Sequence, residues 1–393
     1  AHACCLTHEP TLPARVGSYM HGRNDTVPLK FAQRTALVLG GGGLKGFAHI
    51  GVMRALEERG IRPTTYAGTS IGALIAAARV GGVWLDEMER RATSLAKRDL
   101  FRINRVGMLV ERTHASSLYL EHPLRNLVNA VTPAGTFRDL REKLLVNTVD
   151  LERGNILVWG LPGLEDVSVR DAVYASCALP GFFPPATVGD RMCIDGGTID
   201  NLPTAIASLN TDVVIAVDVG NTDIGHEKDC VSKGFAAIYM RAATVMMHAL
   251  QLDPLARWQG PPMLLIRPRV GQHDWFEFSH TEEIIQAGYD AAMAALDDLG
   301  DSPLCRDRIY PRRRVQLSVS RRKCIGCGIC AALAPGIMKM DSHGKAVAAV
   351  PDHDWSPADG EFVGHCPTQA ITAKSVVSRR TTTTPATQPT VES

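Results

Sequence analysis

The sequence lacks a long apolar run, an excess of charge of either sign and a recognisable secretion signal. Lysine and arginine number 42 and aspartate and glutamate 41, so the net charge of +1 predicts no nucleic-acid partner. The longest apolar stretches, such as 71–78, fall far short of the ~20 residues that span a bilayer. The N-terminus has no basic region followed by an apolar one, and we therefore expect a cytoplasmic protein.

Length and composition predict two domains with irregular ends. At the usual ~150 residues per domain, 393 residues correspond to two or three domains. An alanine-rich helical run gives way near residue 297 to a polar stretch rich in proline and arginine. We expect an irregular segment at 1–33, a large domain at 34–297, a linker at 298–313, a small domain at 314–376 and a disordered tail at 377–393.

In the large domain, strand patterns alternate with helical ones, which predicts an α/β fold with a mostly parallel sheet covered by helices. Apolar, β-branched runs predict strands at 35–39, 155–159, 191–194, 213–217 and 263–267. Helical spacing predicts a helix over 47–60 and a very apolar one from residue 71. We interpret residues 82–150 as two or three further helices.

A glycine-rich loop follows the first of these strands. Gly40 to Gly43 and Gly46 open a helix, so several backbone N–H groups lie at its positive end and can bind an anion. The spacing Gly41-x-Gly43-x-x-Gly46 also matches the dinucleotide fingerprint. That fingerprint requires an acidic residue at the end of the next strand. None stands there, so nucleotide binding is the weaker hypothesis.

The next strand is followed by Gly68-x-Ser70-x-Gly72 and a helix, which is the arrangement of a nucleophile elbow. The flanking glycines relieve crowding around a serine held in a tight turn. The helix that begins at Ile71 points its first amides towards this serine. The alternative is an ordinary strand-to-helix turn that happens to contain serine.

A nucleophilic serine needs a base, and none of the thirteen histidines is convincing. His49, inside the first helix, fits a packing or hydrogen-bonding role better. A stronger candidate is Asp195, which ends a short strand and precedes Gly196 and Gly197. A partly desolvated aspartate in contact with the hydroxyl can accept its proton. By itself, Asp-Gly-Gly is more typical of an ordinary turn.

Taken together, Gly41-Gly-Gly43-Leu-Lys45-Gly46, Gly68-Thr-Ser70-Ile-Gly72 and Asp195-Gly-Gly197 resemble the three signatures of the patatin-like phospholipases. The resemblance covers about 34 to 296 and implies a three-layer patatin-like domain. It implies that Ser70 attacks an acyl carbonyl, that Asp195 accepts its proton, and that amides of Gly41, Gly42 and Gly43 hold the oxyanion. Lys45 either adds positive potential near a phosphate head group or structures the loop.

Four of the ten cysteines fall within the small domain, as Cys324-x2-Cys327-x2-Cys330 and a later Cys366-Pro. Three thiolates on one tight loop and a fourth from further along can hold one iron–sulfur cubane, whereas zinc sites usually pair cysteines two by two. The module resembles bacterial ferredoxins and implies a small α+β fold with one [4Fe–4S] cluster. The sequence has no cysteines to bind a second cluster, because the matching positions are Ala334, Ser356, Asp359 and Phe362. The other six cysteines predict no disulfide framework.

The sequence therefore predicts an acyl-ester hydrolase of the phospholipase or lysophospholipase type. Its substrate would be a phospholipid or lysophospholipid at a membrane surface, to which the protein attaches peripherally, and hydrolysis would need no cofactor. The iron–sulfur module would serve redox coupling or regulation with a redox partner, or would only brace a small fold. The alternative is a redox-sensing or electron-transfer protein whose patatin-like domain binds lipid without catalysis.

Overall fold

The computed structural model describes residues 26–27, 29, 33–105, 117–220, 232, 234–300 and 302–376. The predicted tail at 377–393 and most of the predicted irregular segment at 1–33 lie outside these residues. The described chain forms a large α/β unit and a small α+β unit, each with its own apolar core.

The strands of the described residues are β1 (Thr26–Val27), β2 (Thr35–Leu39), β3 (Thr65–Gly68), β4 (Lys143–Asp150), β5 (Asn155–Trp159), β6 (Ala186–Val188), β7 (Arg191–Asp195), β8 (Val213–Val217), β9 (Met263–Ile266), β10 (Leu304–Cys305), β11 (Ile309–Tyr310), β12 (Arg313–Val319), β13 (Met338–Met340), β14 (Ala346–Ala348), β15 (Asp352–Trp355) and β16 (Ile371–Ser375). The helices are α1 (Ala48–Glu58), α2 (Ile71–Val80), α3 (Leu85–Ser94), α4 (Lys97–Leu100), α5 (Glu121–Val131), α6 (Val169–Ser176), α7 (Thr204–Ala207), α8 (Phe235–Ala256), α9 (Thr281–Leu299), α10 (Ile329–Leu333) and α11 (Glu361–Gly364). Short 3-10 turns occupy Gly43–Phe47, Phe137–Asp139 and Gly196–Thr198.

The main sheet is mostly parallel, as predicted. Its hydrogen-bonded neighbours follow the order β11-β9-β8-β2-β3-β4-β7-β6, and β5 also pairs with β4. All pairs from β11 to β4 are parallel, and those of β5, β6 and β7 are antiparallel. Buried residues of α1, α2 and α9 share a core with one face of the sheet, and those of α7 and the end of α8 with the other. The chain therefore has helices on both faces.

Strand β4 departs from the sequence prediction, which assigned its residues to helices. Seven of its eight residues are buried, and it pairs with β3, β5 and β7. The helical prediction for 143–150 is wrong because a strand buried on both faces loses the polar–apolar alternation by which strands are recognised. Its pairing partners also lie far away in the sequence.

The parallel strands bring four loops to one edge of the sheet. The glycine loop follows β2, Ser70 follows β3, Asp218 follows β8 and Arg267 follows β9. Since the carboxyl ends of parallel strands meet at the same edge, residues far apart in sequence converge there. This edge carries the site described below.

The small unit has a three-stranded antiparallel sheet in the order β15-β12-β16 and a hairpin of β13 and β14. The predicted linker at 298–313 contains β10 and β11, and β11 pairs in parallel with β9. The large sheet therefore extends to Tyr310, through a two-residue pairing too short to leave a pattern in the sequence. Within the described part of the chain, none of the helices combines the length and apolar character needed to cross a bilayer.

Candidate functional site

Ser70 lies in a strained turn between β3 and α2. Its backbone has φ 55° and ψ −126°, a region that residues other than glycine rarely adopt. Its N–H donates to Ser176 Oγ at 2.9 Å. A Cβ on Gly72 would lie 2.1 Å from Leu39 O, and one on Gly68 would lie 2.5 Å from Ala73 N. Both flanking positions therefore require glycine.

Asp195 is brought to Ser70 by the pairing of β4. Gly68 of β3 pairs with Val146, and Asp195 of β7 pairs with Thr148. Strand β5 occupies one edge of β4 along 146–150, so β3 and β7 share the other edge with their carboxyl ends towards each other. Ser70 and Asp195, which are 125 positions apart, meet at this junction.

The Ser70 side chain lies close enough to the Asp195 carboxylate to act on it as a hydrogen-bonding partner, and the N–H of Gly197 donates to Asp195 Oδ1 at 2.8 Å. Asp195 is only 3% exposed. Burial raises the pKa of its carboxyl to about 7, although both hydrogen bonds act to lower it. A carboxylate with this pKa can take a proton from a neighbouring hydroxyl near neutral pH and return it later.

The glycine loop passes directly beside the serine. A Cβ on Gly41 would lie 3.3 Å from Ser70 Cβ and 2.4 Å from Asn201 Oδ1. The N–H of Gly41 donates to Asn201 O at 3.1 Å, and Asn201 Nδ2 donates to Gly41 O at 3.0 Å. Because the N–H of Gly41 is engaged, the amides of Gly42 and Gly43 are the better-placed candidates for an oxyanion. Gly43 has φ 60° and begins a 3-10 turn.

Two polar residues that we did not select from the sequence as site residues hold this region together. Asn201 forms hydrogen bonds with both the N–H and the carbonyl of Gly41, as described above. Asn147, on β4, accepts a hydrogen bond from Thr69 Oγ1 at 2.6 Å and donates from Nδ2 to Asp200 O at 2.7 Å. The only signal for Asn147 in the sequence is a single amide within the apolar run of β4.

Lys45 and Gly46 belong to the packing of the loop. Lys45 is only 5% exposed, and its Nζ lies 5.6 Å from the ring centroid of Trp275. Burial lowers the pKa of Lys45, against the charges of Asp218 and Asp274. A Cβ on Gly46 would lie 2.2 Å from Ile71 Cγ2. Of the two roles considered for Lys45, the geometry favours structuring the loop.

His49 also supports the loop. Its ring is fully buried, and its Nε2 lies 2.8 Å from Gly40 O, to which it donates. Burial lowers the pKa of His49 to about 4, so the ring is neutral. It does not contact Ser70 in the described hydrogen bonds, which agrees with a hydrogen-bonding rather than a basic role. His226, one of the thirteen histidines, lies outside the described residues.

Aromatic side chains form a wall beside the two catalytic candidates. The N–H of Asp195 donates to Ala178 O at 3.1 Å, four residues before Phe182. The Phe182 ring lies 5.8 Å from that of Tyr239 and 5.7 Å from that of Phe276, centroid to centroid. Burial and the charge of Asp195 raise the pKa of Tyr239. This wall can bury an acyl chain.

The four cysteines of the small unit differ in exposure. Cys324 and Cys330 are buried, Cys366 is half-buried and Cys327 is exposed. The loop between the first three turns at Gly326 and Gly328, with φ 78° and 77°. Among the residues that the structure describes, no group of three or more histidine, cysteine, aspartate or glutamate side chains is arranged as a metal site.

The surroundings of these cysteines nevertheless suit thiolate ligands. The N–H of Ala346 lies 3.5 Å from Cys324 Sγ, and that of Ala370 lies 3.3 Å from Cys366 Sγ. Burial alone would raise the pKa of the Cys366 thiol, but hydrogen bonds from Ala370 and Thr368 outweigh it and lower the pKa. Burial raises the pKa of Cys330, and the charges of Cys327 and Cys366 add to this. N–H groups aimed at sulfur are typical of iron–sulfur sites.

Helix α8 lies between the two units. A Cβ on Gly197 would lie 3.3 Å from Met247 Sδ, while Nε2 of the next residue, His248, lies 3.2 Å from Glu361 Oε2 in α11. Arg267 donates to Pro357 O of the small unit and from Nε to the buried Asp218 Oδ2 at 3.1 Å. The small unit therefore contacts the same helix that packs against the Asp195 turn.

Both units match known protein families. Residues 37–208 match the model of the patatin-like phospholipase family, and residues 317–373 match that of the 4Fe-4S single cluster domain. The first match, with the mostly parallel sheet, confirms the predicted fold class. The two matches also confirm the predicted fusion of these families in one chain.

Related proteins match between half and about three quarters of this chain. An uncharacterised NTE family protein of Mycobacterium tuberculosis (strain H37Rv) is 34% identical over 197 residues, which are 50% of this chain and 52% of that protein. The lysophospholipase nte1 of Emericella nidulans is 28% identical over 316 residues, which are 73% of this chain and 20% of that protein. The lysophospholipase NTE1 of Coccidioides immitis is 31% identical over 287 residues, which are 67% of this chain and 18% of that protein. The chain thus spans about half the length of the mycobacterial relative and about a fifth of the fungal ones.

Two solved structures show a distant likeness. VipD from Legionella pneumophila aligns with a TM-score of 0.37 and 16% identity, over 69% of this chain and 67% of that one. The type III effector protein ExoU aligns with a TM-score of 0.32 and 15% identity, over 67% and 53%.

Proposed function

We propose that this chain is a serine hydrolase of lipid acyl esters, with phospholipids or lysophospholipids as substrates. The observation that carries the proposal is the placement of the strained Ser70 beside the buried Asp195 carboxylate. The patatin-like match over 37–208 and the lysophospholipases among the relatives support a lipid ester as substrate.

In the proposed reaction, Ser70 Oγ attacks the ester carbonyl carbon while its proton passes to Asp195. The tetrahedral intermediate then expels the alcohol of the substrate, which takes the proton from Asp195, and an acyl–serine ester remains. Water attacks this ester, gives its proton to Asp195, and releases the fatty acid when Ser70 regains the proton. Asp195 takes up one proton and returns it in each half of the reaction, so hydrolysis needs no cofactor.

The oxyanion would be held by backbone N–H groups. We assign Gly42 and Gly43 to this role, with the first amide of α2 at Ile71, and we assign to Gly41 the task of bringing the loop close to Ser70. Donors fixed by the fold before the reaction stabilise the developing charge without reorganisation.

Hydrolysis of a soluble ester tests the proposal. Wild-type protein should hydrolyse 4-nitrophenyl butyrate and lysophosphatidylcholine, and both Ser70→Ala and Asp195→Asn should lower kcat/KM at least about a thousandfold. Ser117→Ala, at another buried serine, is the matched control and should retain activity. Equal rates for wild type and Ser70→Ala would favour the alternative of a lipid-binding redox protein.

For the small unit, we propose that Cys324, Cys327, Cys330 and Cys366 hold one [4Fe–4S] cluster. When bound, such a cluster supplies one-electron redox chemistry. A redox partner would approach at the exposed Cys327, where the neighbouring Ile325 is also exposed.

We further propose that the cluster regulates hydrolysis through α8, since His248 contacts the small unit and Met247 contacts the turn after Asp195. The test compares soluble-ester hydrolysis by the oxidised and the dithionite-reduced holoprotein, in wild type and in Glu361→Gln. The ratio of the two rates should differ from one in wild type and approach one in the variant. A ratio of one in wild type would show that the cluster does not regulate hydrolysis and would leave it only a structural role in the small unit.

We expect the protein to act in the cytoplasm, attached peripherally to membranes.

A further inference from the structure

Helix α8 exposes a long apolar face, which we name the α8 outer face. It comprises Phe235, Ile238, Ala242, Val245, Met246, Ala249 and Leu250. Phe235 is 83% exposed and Met246 58%, and the other large side chains of the face are 44–50% exposed. Successive members are three or four residues apart or adjacent, so they form one stripe along about four turns, or about 22 Å.

The composition of this face differs from that of an ordinary solvated helix. All seven of its residues are apolar, and the one arginine within this span, Arg241, is half-buried. The buried Met247 and Leu255 hold the opposite side of the helix against the protein. A continuous apolar patch of this kind marks a binding surface.

The α8 outer face continues into the site through aromatic rings. The Phe235 ring lies 6.2 Å from that of Tyr239, which lies 5.8 Å from that of Phe182 in the aromatic wall. Tyr239 is close enough to Asp195 for the charge of that carboxylate to influence the tyrosine. Contacts between aromatic rings therefore link the exposed helix to the neighbourhood of Asp195.

We propose that the α8 outer face docks on the surface of a phospholipid bilayer. The inference rests on the proposed hydrolysis of lipid esters, because a lipid surface is the partner that both covers an apolar stripe and supplies acyl chains next to the aromatic rings beside Asp195. The helix would lie in the interfacial plane, with its apolar side at the boundary of the acyl chains. The near-neutral net charge of the chain fits a docking mode that depends on apolar contact and needs no anionic lipid.

Flotation with vesicles tests this docking. The full chain carrying Ser70→Ala is mixed with phosphatidylcholine vesicles, so that binding is measured without hydrolysis. The triple substitution Ile238→Gln, Met246→Gln and Leu250→Gln should lower the vesicle partition coefficient about tenfold or more, because each change removes apolar burial from the interface. A matched control carries Trp84→Gln, Leu151→Gln and Leu209→Gln, at exposed apolar positions elsewhere, and should bind as the parent does.

The outcomes separate this inference from the proposed function. Equal binding by the parent and the α8 variant, or equal loss in the control variant, would overturn the docking surface; circular dichroism establishes that each variant is folded. A parent that is dimeric in solution, and that the α8 substitutions make monomeric, would identify a second copy of the chain as the occupant and would also overturn it. Vesicle binding by Ser70→Ala without ester hydrolysis by wild type would overturn the function alone.

Discussion

Nε2 of His248 lies 3.2 Å from Oε2 of Glu361, and this contact joins the helix beside the candidate active site to the unit that carries the four cysteines. Burial alone would raise the pKa of Glu361, but the hydrogen bond and charge of His248, with the charge of Arg267, outweigh it and lower the pKa. The contact therefore stabilises the ionised carboxylate.

A first prediction concerns this contact. A carboxyl with a lowered pKa contributes stability that is present above its unfolded pKa of about 4.5 and is lost as the pH falls through the folded value. Glu361→Gln should lower the free energy of unfolding by about 1 kcal/mol near pH 7 and by nothing at low pH. Denaturant unfolding of the holoprotein measures this, with the exposed Glu152→Gln as control. The same stability for wild type and Glu361→Gln near pH 7 would contradict the prediction.

The second prediction is a pH profile of hydrolysis. Because Asp195 must be ionised to accept a proton and its pKa is raised to about 7, kcat/KM should rise with pH through this value and reach a plateau above it. Below about pH 6, the rate should fall about tenfold for each unit of pH. Initial rates with 4-nitrophenyl butyrate measure the profile. A rate that stays constant from about pH 5 to 8 would exclude Asp195 as the base.

The third prediction concerns the effect of Asp195 on the free energy of unfolding, whose dependence on pH has the opposite sign to that of Glu361. Its folded pKa lies above the unfolded value of 3.8, so its contribution is full below about pH 4 and is lost as the pH rises through about 7. Asp195→Asn should therefore be more stable than wild type above neutral pH, on the order of 2–4 kcal/mol. Thermal unfolding at several pH values measures the difference, and the exposed Asp190→Asn should show none. A variant less stable than wild type at high pH would disprove it.

Backbone strain at Ser70 gives a fourth prediction. Glycine adopts φ 55° without the cost that a side chain incurs, so Ser70→Gly should stabilise the protein by about 1–2 kcal/mol, while Ser70→Ala should not. Both variants should be inactive. Gln286→Gly, at an exposed position in the interior of α9, is the control and should be destabilising, since glycine is unfavourable within a helix. If the Gly and Ala variants were equally stable, Ser70 would store no strain.

The fifth prediction concerns the cluster. Anaerobic reconstitution should yield a brown protein with one [4Fe–4S] cluster per chain, whose visible absorbance bleaches with dithionite. Serine at any of the four positions in the motif should reduce the cluster content severalfold, whereas Cys305→Ser, outside the motif, should not. Iron, sulfide and zinc analyses measure the outcome. A colourless protein that binds zinc instead would identify a zinc site.

Much of the fold could be predicted from local pattern. The strands at 35–39, 155–159 and 213–217 have the predicted bounds, because buried β-branched runs bounded by turn residues leave a clear signal. Strand β4 and the short strand β11 could not be predicted, since their identity depends on partners far away in the sequence. The same holds for Asn147, which has no pattern of its own.

The sequence by itself determined which residues could do chemistry: a serine between two glycines, an aspartate before two more, a glycine loop and four spaced cysteines. These signals are local, because each depends on backbone freedom or ligand spacing within a few residues. Only the tertiary structure decided that Ser70 and Asp195 meet, that the N–H of Gly41 is engaged by Asn201, and that α8 touches both units. Those relationships arise from strand pairing and packing between distant segments, which no local pattern encodes.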